Sequence, residues 1–161
     1  MSGDQSSEKR EVILKSIGII HTPFSSRSQA PIQGGFAPEN EGEVELFDEF
    51  AEGLKDIEGF SHIILIYCFH LSPDFNLVVK PFLDSQPRGV FSTRAPWRPN
   101  PIGLTIVRLS RREGGLLHVK GVDMVDGTPL LDIKPHVPPF TYEEELRLGW
   151  LEGKLKGKKD V

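Results

Sequence analysis

His62-Ile-Ile-Leu-Ile-Tyr-Cys-Phe-His70 is the most apolar stretch of the sequence, and it sets the expectation for the fold. Seven apolar residues between two histidines are far too few to span a bilayer, but they have the length of a strand buried in a sheet. Further along, residues 102–109 and 116–122 have the pattern of two strands joined by the glycine-containing turn 111–115. A central strand followed by a hairpin predicts an antiparallel sheet.

Shorter segments extend this pattern along the chain. Each is rich in β-forming residues and bounded by turn residues. We therefore expect further strands at 12–20, 42–47, 89–93 and 129–134. One internal helix is predicted by apolar residues spaced three and four apart on one face. Those residues are Phe47, Phe50, Leu54 and Ile57.

The capping-box pattern Thr141-Tyr-Glu-Glu144 predicts a C-terminal helix, with Tyr142, Leu146 and Trp150 on one stripe. Many short strands with only two helices favour an all-β fold, a mostly antiparallel β-barrel with one internal helix and a C-terminal helix. The expected divisions are a flexible N-terminal tail at 1–11, the barrel domain at 12–140, and the C-terminal helix with a basic tail at 141–161.

Length and composition limit the class of protein. The sequence has 161 residues, of which 38% are hydrophobic and 26% charged, as in one globular domain. The polar N-terminus is unlike a signal peptide and the single Cys68 cannot form an internal disulfide, so we expect a soluble, cytoplasmic protein that does not contact membranes. The glycine fingerprints of Rossmann and Walker sites are missing and the five histidines lack ligand spacing, so we expect no metal.

Charge is unevenly distributed along the sequence, whose net charge is −4. Residues 39–58 include nine acids and one base, whereas residues 80–120 include eight bases and two acids. A net-acidic protein is unsuited to coating nucleic acid indiscriminately, but a local basic surface can receive one structured RNA. The alternative interpretation is that these bases lie on solvated strand edges.

The segment Arg94-Ala-Pro-Trp-Arg-Pro-Asn-Pro101 combines two cations with three prolines. Proline fixes φ and lowers the entropy of a loop, which helps when side chains must meet a ligand in one geometry. Arg94 and Arg98 would then be fixed cations suited to a carboxylate or a phosphate. A rigid crossover between strands explains the prolines equally well, and the sequence leaves both interpretations open.

The segment Asp123-Met-Val-Asp-Gly-Thr-Pro129 contains Asp126-Gly127, a signal for a tight turn. A turn of this composition also exposes backbone amides, a carboxylate and a hydroxyl at one end of a barrel. That set of groups can bind ribose hydroxyls or an amino group.

Two long stretches carry a resemblance to a known family: Gly89-Val-Phe-Ser-Thr-Arg-Ala-Pro-Trp-Arg-Pro-Asn-Pro-Ile-Gly-Leu104 and Asp126-Gly-Thr-Pro-Leu-Leu-Asp-Ile-Lys-Pro135. Together they resemble the signature of the TsaA-like (TrmO) family. Ile17-Gly-Ile-Ile-His-Thr-Pro23 and Ile57-Glu-Gly-Phe-Ser-His62 are also similar to that family. The likeness covers most of the chain, from about residue 15 to residue 138.

The resemblance implies a homodimeric methyltransferase that uses S-adenosylmethionine on an all-β barrel. Family members methylate the exocyclic nitrogen of threonylcarbamoyl-adenosine beside the anticodon of transfer RNA. The cofactor contacts that the resemblance implies are Pro31, Ile32, Gln33, Phe69, His70, Arg94, Leu104, Asp126, Gly127, Thr128 and Pro129.

The resemblance also suggests roles within this set. Our hypothesis is that Ile32, Phe69 and Leu104 enclose the apolar parts of the cofactor. Asp126 and backbone groups would then bind its sugar or base, and Arg94 its methionine carboxylate. No residue is assigned as a catalytic base.

Three cations are candidates for the RNA phosphates, namely Lys80, Arg88 and Arg98. Bacterial members carry a further C-terminal domain that could contribute to RNA docking, whereas this sequence ends soon after Pro139. Pro31-Ile-Gln33 also stands where those members have Pro-Arg-Gln, and we expect cofactor binding to survive both differences. The role of the C-terminal lysines, Lys154, Lys156, Lys158 and Lys159, is left open.

Two other functions remain compatible with the sequence. One is a barrel that binds S-adenosylmethionine or another nucleotide as a sensor or partner-binding module. The other is a methyltransferase that acts on a small adenosine-like or amide acceptor. The basic stretch at 80–120 favours RNA, while the net charge of −4 is compatible with a small acceptor.

Overall fold

The structure, a computed structural model, describes residues 9–32, 37–137 and 147–154. Its eight strands are β1 (Gly18–His21), β2 (Glu41–Leu46), β3 (His62–Cys68), β4 (Val78–Val79), β5 (Arg88–Gly89), β6 (Ile102–Glu113), β7 (Leu116–Lys120) and β8 (Thr128–Pro135). Six of them close into an antiparallel barrel in the order β1-β2-β7-β6-β3-β8, while β4 and β5 form a separate ribbon. The predicted all-β, mostly antiparallel barrel is confirmed.

β3 is the strand on which the barrel is built, because it pairs along almost its whole length with both β6 and β8. Ile63, Leu65 and Tyr67 point inward and are buried, whereas the alternate residues Ile64 and Ile66 point outward and are partly exposed. This alternation is what the period of two along a strand requires. The prediction of a central strand at His62 is therefore confirmed.

The barrel interior is filled by the inward residues of all six strands. Its fully buried members are Ile20, Val44, Ile63, Leu65, Val107, Leu117, Val119 and Leu130. Each such aliphatic side chain contributes about 1.5–3 kcal/mol by leaving water. Leu54 joins this core from the segment after β2, and Val122 and Met124 join it from the segment between β7 and β8.

The internal helix is a 3-10 helix at Asp48–Leu54, followed by a second short one at Ile57–Gly59. Between them Asp56 adopts a left-handed backbone conformation with φ of 68°, which interrupts the helical path. Three of the four residues predicted to share one face, Phe50, Leu54 and Ile57, contact the core, whereas Phe47, which precedes the helix, is 38% exposed.

Other boundaries differ from the predicted ones. The strand expected at 12–20 is reduced to β1, because residues 12–14 are exposed and the pairing of β1 starts only at Gly18. The strand expected at 89–93 is replaced by β5 and the 3-10 turn Val90–Ser92. β6 runs on to Glu113, so its hairpin with β7 turns at Gly114 and Gly115 and not over 111–115.

Residues 141–146 of the predicted C-terminal helix lie outside the described residues. Within 147–154 the chain forms a 3-10 turn at Gly149–Leu151. No helix among the described residues is both long and apolar enough to cross a membrane.

The strand directions bring many connections to one end of the barrel, which we call the loop end. β1, β3 and β7 finish there, and β2, β6 and β8 begin there, as the pairs His21↔Glu43, Cys68↔Ile102 and Ile20↔Thr128 show. The connections β1–β2, β3–β6 and β7–β8 therefore all start and finish at the loop end. The 3-10 helices after β2 lie at the opposite end.

Replacing Gly18 by alanine should weaken the barrel, because β1 and β2 are closest there. A Cβ at Gly18 would overlap the backbone carbonyl of Glu45 and lie 3.0 Å from the Cα of Leu46, and neither atom can move without shifting the strand. We expect Gly18→Ala to lower the free energy of unfolding by about 3 kcal/mol in urea titrations. The matched control is Gly53→Ala, where nothing lies within 4 Å, and equal losses in both variants would contradict the close approach.

Candidate functional site

One arginine joins two of the connections at the loop end, β1–β2 and β3–β6. Arg27, in the β1–β2 connection, donates a hydrogen bond to the hydroxyl of Ser72, which follows β3. Its guanidinium also lies 4.7 Å from the ring centre of Trp97, in the proline-rich segment before β6. A cation over an indole face is attracted by the ring quadrupole. The described parts of three loop segments are thus held together by a single side chain.

Hydrogen bonds within and just before the proline-rich segment 94–101, and one to the residue that follows β3, hold this segment in place. Arg98 Nη1 donates to the carbonyls of Val90, Thr93 and Ala95, at 3.1, 2.8 and 3.1 Å. The amide of Phe69 donates to the carbonyl of Pro101 at 2.7 Å. Together with the three prolines, these bonds fix the loop in one shape.

Gly103 makes room for two aromatic rings at the start of β6. The rings of Tyr67 and Phe69 lie edge to face with their centres 5.4 Å apart. A Cβ at Gly103 would fall 2.6 Å from Cζ of Tyr67 and 2.8 Å from Cζ of Phe69. The glycine therefore allows the pair to pack over the backbone of β6, which sets the position of Phe69 at the loop end.

A buried chain of polar groups lies beneath these rings. The hydroxyl of Tyr67 is 2.9 Å from the hydroxyl of Thr105, which donates to a carboxylate oxygen of Asp123 at 2.7 Å. Burial is the main cause that raises the pKa of Tyr67 above its usual range, and Asp123 raises it further, whereas Arg94 lowers it. The Tyr67 phenol is therefore neutral at any physiological pH.

The Asp126–Gly127 turn is confirmed, with Gly127 at a φ of 78° that favours glycine. Asp126 Oδ1 accepts from the amide of Thr22 at 2.9 Å, and the amide of Asp126 donates to the carbonyl of Phe24 at 2.8 Å. These bonds tie the turn to the beginning of the β1–β2 connection. The Asp126 side chain remains 51% exposed, so its carboxylate also faces solvent.

The positions implied as cofactor contacts lie in connections or strand ends that meet at the loop end. They are Pro31, Ile32, Phe69, His70, Arg94, Leu104, Asp126, Gly127, Thr128 and Pro129. Gln33 lies outside the described residues. His70, Arg94 and Ile32 are exposed, whereas Thr128 is buried and donates to the carbonyl of Val125 at 2.5 Å. Leu104 and Pro129 point outward from the barrel wall.

The three cations suggested for RNA contact differ in their surroundings. Lys80 is exposed. Arg98 is half-buried, and its Nη1 donates hydrogen bonds to backbone carbonyls of its own loop. Arg88 donates through Nε and Nη2 to the same oxygen of Asp84, at 2.9 and 2.6 Å. All three lie on the β3–β6 connection at the loop end.

Residues 147–154 pack against this connection. Lys154 Nζ lies 2.8 Å from the second oxygen of Asp84, and the indole N–H of Trp150 donates to the carbonyl of Ser92 at 2.7 Å. The hydrogen bonds from Lys154 and Arg88 hold the pKa of Asp84 well below its usual range. Of the C-terminal lysines, Lys154 lies within the described residues and takes this structural position.

Several residues of the site were not predicted from the sequence. Arg27 was missed, although it is the one charged residue among 25–38. Tyr67 and Thr105 were missed because a polar residue at an inward strand position shows its partner only once the strand register is known. The pairing of Tyr67 with Gly103 provides that register.

A groove of about 460 Å³ lies on the outside of the barrel, lined by the end of β1, the start of β2, β7 and the second half of β6. His118 sits there between Glu43 and Glu113, with a ring nitrogen 3.3 Å from an oxygen of each. Hydrogen bonds lower the pKa of Glu113, the one from Arg111 contributing more than the one from His118. Within the described residues, no group of three or more histidine, cysteine or acidic side chains is arranged to hold a metal ion.

Comparison with known proteins places this arrangement in a family. Residues 19–141 match the model of the tRNA-methyltransferase O N-terminal domain. The chain belongs to the tRNA-methyltransferase O (TrmO) family. A crystal structure of TrmO from Pseudomonas aeruginosa superposes with a TM-score of 0.68 at 39% identity, covering 80% of this chain and 57% of that chain.

Two relatives of this TrmO-family chain differ in length. A probable S-adenosyl-L-methionine-binding protein of Pyrococcus abyssi is 55% identical over 141 residues, which make up 88% of this chain and 77% of that protein. The tRNA (adenine(37)-N6)-methyltransferase of Mus musculus is 33% identical over 161 residues, covering 96% of this chain but 37% of that protein. The chain thus spans about a third of the length of the mouse relative and less than two thirds of the solved structure.

Replacing Gly103 by alanine should disturb the site as well as the fold. The added methyl would push against the rings of Tyr67 and Phe69, and the Tyr67 ring is both buried and bonded through its hydroxyl to Thr105. We expect Gly103→Ala to lower the free energy of unfolding by about 2 kcal/mol and to weaken cofactor binding measured by calorimetry. Gly89→Ala is the matched control, since nothing lies within 4 Å of a Cβ there. Unchanged stability in Gly103→Ala would show that the rings do not depend on this glycine.

Proposed function

We propose that this protein is an S-adenosylmethionine-dependent tRNA methyltransferase that acts on the exocyclic nitrogen of threonylcarbamoyl-adenosine next to the anticodon. One observation carries the proposal: in a chain of the TrmO family, the segments implied as cofactor contacts converge at one end of the barrel. Three of those segments are held by specific contacts through Arg27, Pro101 and Asp126. A site preorganised in this way can position two reactants in line.

The residues at the loop end fit the chemistry of S-adenosylmethionine. The molecule has a carboxylate, ribose hydroxyls and apolar surfaces. Arg94 offers an exposed cation, Asp126 an exposed carboxylate, and Ile32 and Leu104 exposed apolar side chains. When bound, S-adenosylmethionine supplies an activated methyl group on a sulfonium. The relative from Pyrococcus abyssi is named for binding this compound, which supports the assignment.

The contribution of the protein is then to bind, orient and exclude water. Arg94 pairs with the methionine carboxylate, since a guanidinium can donate two parallel hydrogen bonds to it. Asp126 accepts a hydrogen bond from a ribose hydroxyl or the adenine amino group through the oxygen not used by Thr22. Phe69, held against Tyr67, covers an apolar face of the cofactor. Because a sulfonium methyl is already activated, positioning and desolvation supply most of the rate.

The assignment of tRNA as the substrate is supported by charge and by a relative. The mouse relative is named a tRNA (adenine(37)-N6)-methyltransferase. Lys80, Arg88 and Arg98 belong to the connection that also holds Arg94, so RNA phosphates bound there would lie beside the methyl donor. Transfer RNA is present in the cytoplasm, where we place the protein.

The outer face of the barrel supports a homodimer. The outward residues of β3 and β6 form cross-strand apolar pairs, Ile64 with Ile106 and Ile66 with Leu104. Leu104 and Ile106 are 46% and 44% exposed. A contiguous exposed apolar row of this kind is typical of a surface that meets another protein. We propose that a second copy covers it, which would also enclose Leu104 against the cofactor.

A second function is a module that binds S-adenosylmethionine without transferring its methyl group. The name of the relative from Pyrococcus abyssi favours it, because that name states binding alone. The two functions share the cofactor site and differ in the acceptor.

The role of Asp126 can be separated from its role in the turn. Asp126→Asn keeps an oxygen that can accept from the amide of Thr22, but it removes the negative charge. We expect unfolding free energy within about 0.5 kcal/mol of the original protein and affinity for S-adenosylmethionine about tenfold weaker, because hydrogen bonds to charged groups are the stronger ones. Asp126→Ala should lose stability as well. Full affinity for S-adenosylmethionine in Asp126→Asn would show that the Asp126 carboxylate stabilises the turn but does not bind the cofactor.

The proposed reaction is tested directly by transfer of a labelled methyl group. The protein is incubated with S-adenosylmethionine labelled in the methyl group and with tRNA that carries threonylcarbamoyl-adenosine. The control is the same tRNA without that modification. We expect label in the modified tRNA only. Absence of label in both RNAs, from protein that binds the cofactor by calorimetry, would reject this tRNA as the acceptor and favour the binding module or a methyltransferase with another acceptor.

A further inference from the structure

We propose that Phe82 and Phe91 form a stacking platform for unpaired RNA bases next to the loop end. The proposal rests on the proposed function, since it concerns the same substrate. It assigns to two aromatic residues a contact with the anticodon loop that the cofactor site and the basic residues do not provide.

Both phenylalanines are placed on the surface without a role in the core. Phe82 is 78% exposed and lies in the connection between β4 and β5. Phe91 is 75% exposed and lies in the 3-10 turn Val90–Ser92. A ring exposed to this degree gains little stability from packing. Val90, the residue before Phe91, is buried by contrast. Val90 therefore anchors the turn to the protein, while Phe91 extends into solvent.

A set of contacts links the two segments that carry the phenylalanines. The carbonyl of Ser92, next to Phe91, accepts from the indole of Trp150. Arg88 and Lys154 lie 5.6 and 5.5 Å from the centre of that ring, and both cations bind Asp84. Phe82 is two residues from Asp84 in the sequence. The segments that hold the two rings therefore belong to one ordered cluster and are not two independent loops.

Hydrogen bonds and ion pairs fix the residues around the two phenylalanines. Arg98 donates to the carbonyls of Val90, Thr93 and Ala95, and its guanidinium lies 6.0 Å from the ring centre of Phe91. The Asp84 side chain is only 6% exposed and is bound by two cations. A platform fixed before binding costs less entropy when a base stacks on it.

The charge of this surface suits RNA. Residues 77–98 and 147–154 together hold six cations and two carboxylates, a formal charge of +4 in a chain whose net charge is −4. Exposed aromatic rings interleaved with basic residues are the usual composition of a surface that binds unpaired nucleotides, with cations on the backbone and rings on the bases. The exposed row on β3 and β6 is aliphatic, as expected for a protein contact, so the two surfaces differ in chemistry.

The position of the platform matches the proposed reaction. Phe91 precedes Arg94 by three residues, and Arg94 is the residue proposed to bind the cofactor carboxylate. A base stacked on Phe91 would therefore be bound by the same segment of the protein that carries the proposed cofactor contact. In single-stranded loops bases are unstacked and available to aromatic side chains.

Binding of an anticodon stem-loop tests the platform. We would measure by fluorescence anisotropy the affinity of the full chain for a labelled anticodon stem-loop and for a fully paired duplex of equal length. Phe82→Ala and Phe91→Ala should each weaken stem-loop binding about tenfold and leave duplex binding unchanged, because stacking needs unpaired bases. Phe91→Trp should retain stem-loop affinity, whereas Phe91→Leu should not.

The matched control is Phe60→Ala, which removes an exposed ring at the opposite end of the barrel. This variant should keep full stem-loop affinity. Circular dichroism establishes that each variant is folded, and sedimentation reports its oligomeric state. Unchanged stem-loop affinity in Phe82→Ala and Phe91→Ala would overturn the proposal. A change in oligomeric state in these variants would overturn it as well, by assigning the face to a second copy.

Methyl transfer separates this proposal from the proposed function. If the original protein labels modified tRNA and the variants show an unchanged KM for it, the platform is rejected and the enzyme stands. If the original protein transfers no methyl group but its stem-loop binding depends on Phe82 and Phe91, the platform stands and the enzyme is rejected.

Discussion

Backbone pairing on both sides of every barrel strand is the constraint from which the rest of the molecule follows. β3 is bonded to β6 and to β8, so neither neighbour can slide without breaking two ladders. A slip by one residue would also turn Ile63 and Leu65 out of the core. With the register fixed, Gly103 lies opposite Tyr67 and provides the space for its ring. The loops at one end then have fixed starting points.

The pattern of the sequence was sufficient for the barrel but not for its details. The apolar run from His62 identified β3, because burial of one face requires alternation wherever the strand lies. Residues 12–16 have the same β-rich composition and yet remain exposed outside the barrel, whereas Ile17 already bonds through its backbone to Leu130 and Phe47. Strand propensity has no effect without a partner strand. The local spacing predicted one continuous helix, whereas the segment forms two short 3-10 helices separated by Asp56, whose left-handed backbone conformation interrupts the helical path.

Prediction of the site depended on two kinds of information. The proline-rich segment and the Asp126–Gly127 turn stand out in the sequence because their composition is unusual, and the family resemblance connected them to a cofactor. Arg27 and Thr105 act through partners 45 and 18 residues away, Ser72 and Asp123. Such contacts are created by the closure of the barrel, so residue composition alone contains no signal for them.

The fold separates the bases of the stretch 80–120 into two groups. Arg111, Arg112 and Lys120 belong to the basic stretch but pair with nearby acids: Arg111 with Glu113 of β6, Arg112 with Glu58 after β2, and Lys120 with Glu39 and Glu41 at the start of β2. The β3–β6 connection holds four bases, Lys80, Arg88, Arg94 and Arg98, against two acids, Asp74 and Asp84, of which Asp84 pairs with Arg88. A net positive charge therefore remains on this connection, where it can steer a charged substrate.

The placement of the indole rings has a spectroscopic consequence. The chain has two tryptophans, Trp97 and Trp150, and both lie at the loop end beneath an arginine. Among the buried members of the described core Tyr67 is the one aromatic residue, and Phe24, Phe50 and Phe69 pack against it from the side. Tryptophan emission from the native protein therefore originates at the loop end and not in the hydrophobic interior. The molecule has an intrinsic fluorophore beside the proposed cofactor site, and its emission can be followed without attaching a dye.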